Sequence, residues 1–128
     1  MPKLLEIVLP AVLALTATAA LAQDIKLLKP GIYLASGSNC PNDVGSAAEA
    51  TFDGKNFAGH YSVCNTEPTS TPGTYKNSCL EGQGQNWPTH AQIDSSPDRE
   101  VSNIKIEARS KSEFTIDGQL YEFCEAAQ

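Results

Sequence analysis

Val101-Ser-Asn-Ile-Lys-Ile-Glu-Ala-Arg-Ser-Lys-Ser-Glu-Phe-Thr-Ile-Asp-Gly-Gln-Leu-Tyr-Glu-Phe-Cys124 is the stretch whose patterning decides the fold. Ile104, Ile106 and Ala108 alternate with Lys105, Glu107 and Arg109, the two-residue period of a half-buried strand over Val101 to Ala108. Asp117-Gly118 then separates Phe114-Thr-Ile116 from Leu120-Tyr-Glu-Phe123, and Gly tolerates the positive φ that a two-residue hairpin loop demands. With those two residues as the loop, Phe114 faces Tyr121, a favourable aromatic pair, and Glu113 faces Glu122, a pair that needs solvent on both sides.

The same grammar runs upstream. Residues 31–40 open with a β-prone run entered from Pro30-Gly31, and residues 41–47 are turn-rich. Ala50-Thr51-Phe52 precedes Asp53-Gly54, and a four-residue loop from Asp53 to Asn56 sets Phe52 opposite Phe57 in a second strand running to Cys64. Asn65 to Gly73, with Pro68 and Pro72, reads as a loop, and Thr74 to Cys79 as a strand. Glu81 to Pro88 is another loop and holds the single tryptophan, Trp87. No helical period of useful length follows residue 22. These units predict one all-β domain over residues 23–128, a meander folded as a small sandwich or partly closed barrel.

Residues 1–22 read as a signal peptide: Lys3, an apolar stretch from Ile7 to Leu15, and small residues at Ala20 and Ala22. The apolar run is short of the roughly 20 residues a membrane span needs, and Pro10 interrupts it, so no stable membrane insertion is expected once the leader is removed. The expected location is periplasmic or secreted. The chain carries a formal net charge of −6, and the leader holds one residue of each sign, Lys3 and Glu6, so the charge passes unchanged to the rest. An acidic domain without a Lys/Arg cluster is a poor partner for nucleic acid, whereas it steers a basic protein inward.

Cys40, Cys64, Cys79 and Cys124 all follow the leader, and four cysteines in an exported chain read as two disulfides with three possible connectivities. Cys40–Cys64 with Cys79–Cys124 is the favoured pairing, because Cys40 and Cys64 flank one strand-turn-strand unit. Loops of those lengths stabilise by roughly 3.5 and 4 kcal/mol in the chain-entropy treatment. A metal site is the rival, but no short Cys-x-x-Cys or His-x-x-x-His pair supports one.

Gly31-Ile32-Tyr33 leading to Cys40, Phe52-Asp53-Gly54-Lys55 with Phe57 and Cys64, Tyr75 to Ser78-Cys79, and Tyr121-Glu122-Phe123-Cys124 follow one another in an order that resembles small exported two-disulfide domains of alphaproteobacteria, whose function is unassigned. The likeness covers nearly the whole chain after the leader and rests on strand aromatics, an Asp-Gly turn and cysteines. It implies a periplasmic β-domain with even cysteine pairing and no activity. This chain is more acidic than the Arg-rich members of that group.

Candidate chemistry is sparse. A Ser-His-Asp or Cys-His site needs His60 or His90, the two histidines. Ser62 shares a strand face with His60, and Asp94 bears the same spacing to Ser96, yet no Gly-x-Ser-x-Gly elbow is present. Asp24, Asp43, Asp53, Asp94, Asp98 and Asp117 fall mostly at turns, where Asp bonds locally, and none forms a calcium loop. No enzyme, metal or cofactor is expected. The segment Glu81-Gly82-Gln83-Gly84-Gln85-Asn86-Trp87-Pro88 is the candidate binding loop, with Gln83, Gln85 and Asn86 supplying amides around the Trp87 indole, and His90 and Tyr75 as possible additions. The expectation is a non-enzymatic binding module for an envelope glycan or a protein. The alternative is an inhibitor or immunity-type protein against a basic cell-wall hydrolase such as lysozyme. Ser36-Gly37 resembles the dipeptide of the loop that exported lysozyme inhibitors insert into the enzyme cleft, without the aromatic that follows in theirs.

Overall fold

A computed structural model describes residue 11 and residues 24–128; apart from residue 11, the leader expected over residues 1–22 lies outside the described residues. The strands are β1 (Gly31–Ala35), β2 (Glu49–Phe52), β3 (Phe57–Gly59), β4 (Ser62–Pro68), β5 (Thr74–Glu81), β6 (Glu100–Ser110), β7 (Glu113–Ile116) and β8 (Gln119–Phe123). One short helix, α1 (His90–Ile93), lies between β5 and β6, and 3-10 turns occupy Ile25–Leu27 and Glu125–Ala127. Hydrogen bonding orders the strands β3-β2-β1-β8-β7-β6-β5-β4, every ladder antiparallel. The all-β meander is thus a nearly closed barrel, with β8 returning to β1 and the consecutive strands β3 and β4 meeting at a seam. Among the described residues no helix is long and apolar enough to cross a membrane.

The hairpin registers follow from turn chemistry. Asp117 and Gly118 both hold positive φ, 48° and 86°, and set Phe114 opposite Tyr121 and Glu113 opposite Glu122, as expected. Asp53 closes the β2–β3 loop by accepting from the backbone N–H groups of Lys55 (2.9 Å) and Asn56 (2.6 Å), which places Phe52 against Phe57. Two boundaries differ from expectation. The run Phe57 to Cys64 breaks at His60-Tyr61 into β3 and β4, and β4 continues to Pro68, through residues 65–68 expected as loop. Pro68 is tolerated because β4 stands at the seam, where a missing N–H breaks no ladder. Helix α1 was not legible in the sequence because it is one turn long. The Gln92 side chain accepts from the Thr89 N–H at 2.9 Å, and fully buried Ile93 anchors it.

Aromatic side chains fill the barrel. Phe114 lies 4.7 Å from Tyr33, 5.0 Å from Phe57 and 5.4 Å from Tyr121, ring centre to ring centre, and Phe57 stacks on Phe52 at 4.5 Å. Ala50, Ile106, Ala108 and Leu28 pack around them. The Tyr33 hydroxyl donates to the Lys29 carbonyl at 2.5 Å, and burial pushes its pKa up to about 12. Leu34 and Glu49, paired across β1 and β2, are buried apart from this aromatic cluster, and the segment between the two strands reaches Glu49 through the Gly45 N–H.

The seam is closed by side chains. Thr66 accepts from the Phe57 N–H at 2.9 Å and donates to Asn77 Oδ1 at 2.7 Å. Asn77 Nδ2 donates to the Phe57 carbonyl at 3.2 Å, and Asn56 Oδ1 accepts from the Thr66 N–H at 2.9 Å. Thr66 and Asn77 are buried, so each of these bonds satisfies a group that water does not reach.

Both disulfides form, but not in the favoured pairing. Cys40 bonds Cys124, and Cys64 bonds Cys79. Cys64 and Cys79 stand directly opposite in the β4–β5 ladder, Cα atoms 4.1 Å apart, because the chain turns back between Pro68 and Thr74. Cys40 sits in the long β1–β2 segment, which is pinned to the residue after β8; Cys40 and Cys64 therefore do not belong to one hairpin. Two disulfides fit an oxidising environment.

Two outcomes are expected. Peptide mapping without reductant yields Cys40–Cys124 and Cys64–Cys79, and removing these bridges singly costs about 4.5 and about 3 kcal/mol in denaturant titrations; a Cys40–Cys64 fragment contradicts the β4–β5 register. Thr66→Val leaves the Phe57 N–H without its partner and costs about 2 kcal/mol, while Thr66→Ser stays near wild type. Equal stability of the two variants rules out the side-chain seam.

Candidate functional site

The β4–β5 ladder pairs Ser62 with Glu81 at one end and Pro68 with Tyr75 at the other. The first end carries the two most accessible aromatic rings of the barrel. Tyr61, in the β3–β4 turn, is 61% exposed, and Trp87 is 44% exposed. Gly82 joins them: its N–H donates to the Tyr61 carbonyl at 2.9 Å, and the indole lies directly over its α-carbon. A methyl group at Gly82 would collide with Cε3, Cδ2 and Cζ3 of the indole, so only glycine lets the ring lie down there. Trp87 Nε1–H donates to the Gly84 carbonyl at 2.8 Å, and a tight turn closes with Asn86 N–H on the Gln83 carbonyl at 2.9 Å. The indole therefore has its N–H and one face engaged within its own loop. The rest of the ring is accessible, and Gln83, Gln85 and Asn86 of the same loop are exposed as well.

Beside Tyr61 opens a cleft of about 670 Å³, lined by Ser62, Cys79, Leu80, Glu81, Asp98 and Glu100 as well. Glu81 ends β5, Glu100 begins β6, and Asp98 precedes it, so the β5–β6 pairing gathers three carboxylates. None of the three forms an ion pair among the described residues. Tyr61 is braced from behind. Buried Glu49 accepts from the Gly45 N–H at 3.2 Å and lies 2.7 Å from His60 Nδ1, and the His60 ring meets Tyr61 edge-on at 4.4 Å.

The two histidines serve different neighbourhoods. His60 is tied to Glu49, while Ser62 Oγ donates to the Gly59 carbonyl at 3.4 Å rather than to the imidazole. His90 Nδ1 lies 2.9 Å from Asn65 Oδ1, and its Nε2 is 3.6 Å from Asp53 Oδ2. Partial burial pushes the Asp53 carboxyl up, but bonds from Asn56 and Lys55 and the nearby His90 outweigh it and hold the carboxyl below its usual range. Ser96 Oγ accepts from the Asp98 N–H at 3.2 Å, a turn bond. Neither suggested addition joins the Trp87 loop. Tyr75 is six residues from Glu81 along β5, about 20 Å away, and His90 faces Asn65 and Asp53.

The sequence pointed to Trp87 and its amides and missed Tyr61, Glu81, Asp98 and Glu100 as a group. Tyr61 carried one usable signal, an aromatic directly after Gly59-His60 where a strand run turns. The carboxylates come from segments 17 residues apart and meet through pairing alone.

Gly82→Ala is expected to lift the indole from its seat. The single tryptophan then reports the change as a red-shifted emission and faster exchange of the indole N–H, with little loss of stability; an unchanged spectrum contradicts the Gly82 contact. Compared with protein-family models, curated proteins and solved structures, the chain matches none, so the chemistry of this face rests on its geometry.

Proposed function

We propose that the domain is a non-enzymatic periplasmic or secreted binding module whose Tyr61–Trp87 face takes a basic protein surface, with a cell-wall hydrolase of the lysozyme type as the partner class. The observation that carries this reading is the cleft that gathers three unpaired carboxylates, Glu81, Asp98 and Glu100, with the exposed ring of Tyr61, while the accessible Trp87 indole sits on Gly82, next along the chain from Glu81. Aromatic anchors supply contact area at low entropic cost, and the carboxylates meet Lys and Arg side chains. The net charge of −6 adds long-range steering toward a cationic partner. Glu49 and His60 belong to this reading as the brace that keeps Tyr61 in place. A second reading, envelope glycan, is favoured by the accessible Trp87 indole and the exposed amides Gln83, Gln85 and Asn86 of the same loop, since a sugar ring stacks on an aromatic face and bonds to amides.

Calorimetry against purified hen lysozyme, at low and high salt, tests the first reading. Wild type is expected to bind, and high salt to weaken the complex. Trp87→Ala is expected to lose about tenfold or more in affinity, and the triple variant Glu81→Gln, Asp98→Asn, Glu100→Gln to lose most of the salt dependence. Failure to bind, or binding that the triple variant keeps in full, refutes it. Co-sedimentation with peptidoglycan sacculi separates the second reading: pelleting of wild type that Trp87→Ala abolishes puts glycan in place of protein.

A further inference from the structure

The opposite mouth of the barrel holds a cavity of about 520 Å³. Thr66, Pro68 and Tyr75 line it from the inward face of the β4–β5 hairpin, Ile25 and Lys26 from the 3-10 turn, and Gly54 and Lys55 from the β2–β3 loop. Ile25 and Tyr75 also pack against the aromatic core, so the apolar side of the cavity is backed by it. Its size falls within the roughly 300–1,000 Å³ of small-molecule sites, and barrel mouths are a common place for them.

Charge distinguishes this mouth from the acidic cleft at the other end of the hairpin. In a chain of net charge −6 it presents two ammonium groups, Lys26 and Lys55, and neither forms an ion pair among the described residues. The one carboxylate at the rim, Asp24, has Oδ1 engaged by the Lys26 N–H at 3.0 Å, capping the 3-10 turn. The Tyr75 phenol is pushed up by burial and then by Asp24, which keeps its proton in place as a donor.

We propose that this mouth binds a small molecule with an apolar body and one anionic group. The body lies against Ile25, Pro68 and the Tyr75 ring, and the anion meets the Lys26 and Lys55 rim, with the Tyr75 hydroxyl as a further donor. The site is independent of the Tyr61–Trp87 face, since it lies at the other end of β5.

Decanoate and decanol share a chain length and differ in charge, so the pair tests both halves of the proposal. By calorimetry on the purified protein, decanoate is expected to bind one-to-one and about tenfold tighter than decanol. The double variant K26Q/K55Q is expected to reduce decanoate to the decanol level and leave decanol unchanged. I25D is expected to weaken both, and W87A, at the other mouth, to change neither; K26Q/K55Q and W87A keep a thermal midpoint close to wild type. Equal affinity of the two probes for wild type, full retention of decanoate binding by K26Q/K55Q, or no binding of either probe overturns the proposal.

Discussion

The Thr66 hydroxyl stands where a backbone ladder is missing. It accepts from one strand edge and donates its own O–H to Asn77 Oδ1, and the Asn77 amide N–H in turn donates to the Phe57 carbonyl. This arrangement lets β3 and β4 diverge without stranding the backbone of Phe57. Phe57 must stay in place because its ring stacks on Phe52 and meets Phe114 edge-on, and Phe114 in turn touches Tyr33 and Tyr121. The aromatic filling and the polar closure are therefore one constraint, since the rings keep water out and the hydroxyl network removes the need for it.

That closure gives the barrel two unlike mouths. At one, the β4–β5 and β5–β6 pairings bring carboxylates and open aromatic rings together; at the other, two lysines overlook an apolar hollow. Antiparallel strands sort the chain in this way because every second turn emerges at the same end. Residues far apart in sequence, such as Tyr61 and Glu100, become neighbours, and residues on one strand, such as Tyr75 and Glu81, part company. The two mouths thus offer separate surfaces for the partners proposed above.

What the sequence disclosed was local. Asp117-Gly118 and Asp53-Gly54 announce their turns through backbone chemistry, and the facing pairs Phe114–Tyr121 and Phe52–Phe57 follow by counting. The extension of β4 to Pro68 was hidden because Asn-Thr-Glu-Pro is polar and proline-ended, and the seam tolerates such a strand. The disulfide pairing was hidden for a different reason. Cys64 and Cys79 lie almost symmetrically about the Thr69–Gly73 turn, a signal that needs β4 to be recognised first. The acidic cleft needs the β5–β6 register as well, which no single segment contains.

The Cys64–Cys79 bridge bears on how the protein meets copies of itself. A barrel that ends at a seam carries two strand edges, and an edge freed by local opening is a template for another chain. Here β4, one of the two edge strands, is covalently stitched to its inner neighbour at mid-ladder, and the stitch lies on the same inward face as Thr66 and Asn77. Opening the seam can expose β4 but cannot release it, so exchange of that strand between molecules is blocked while the thiols stay oxidised.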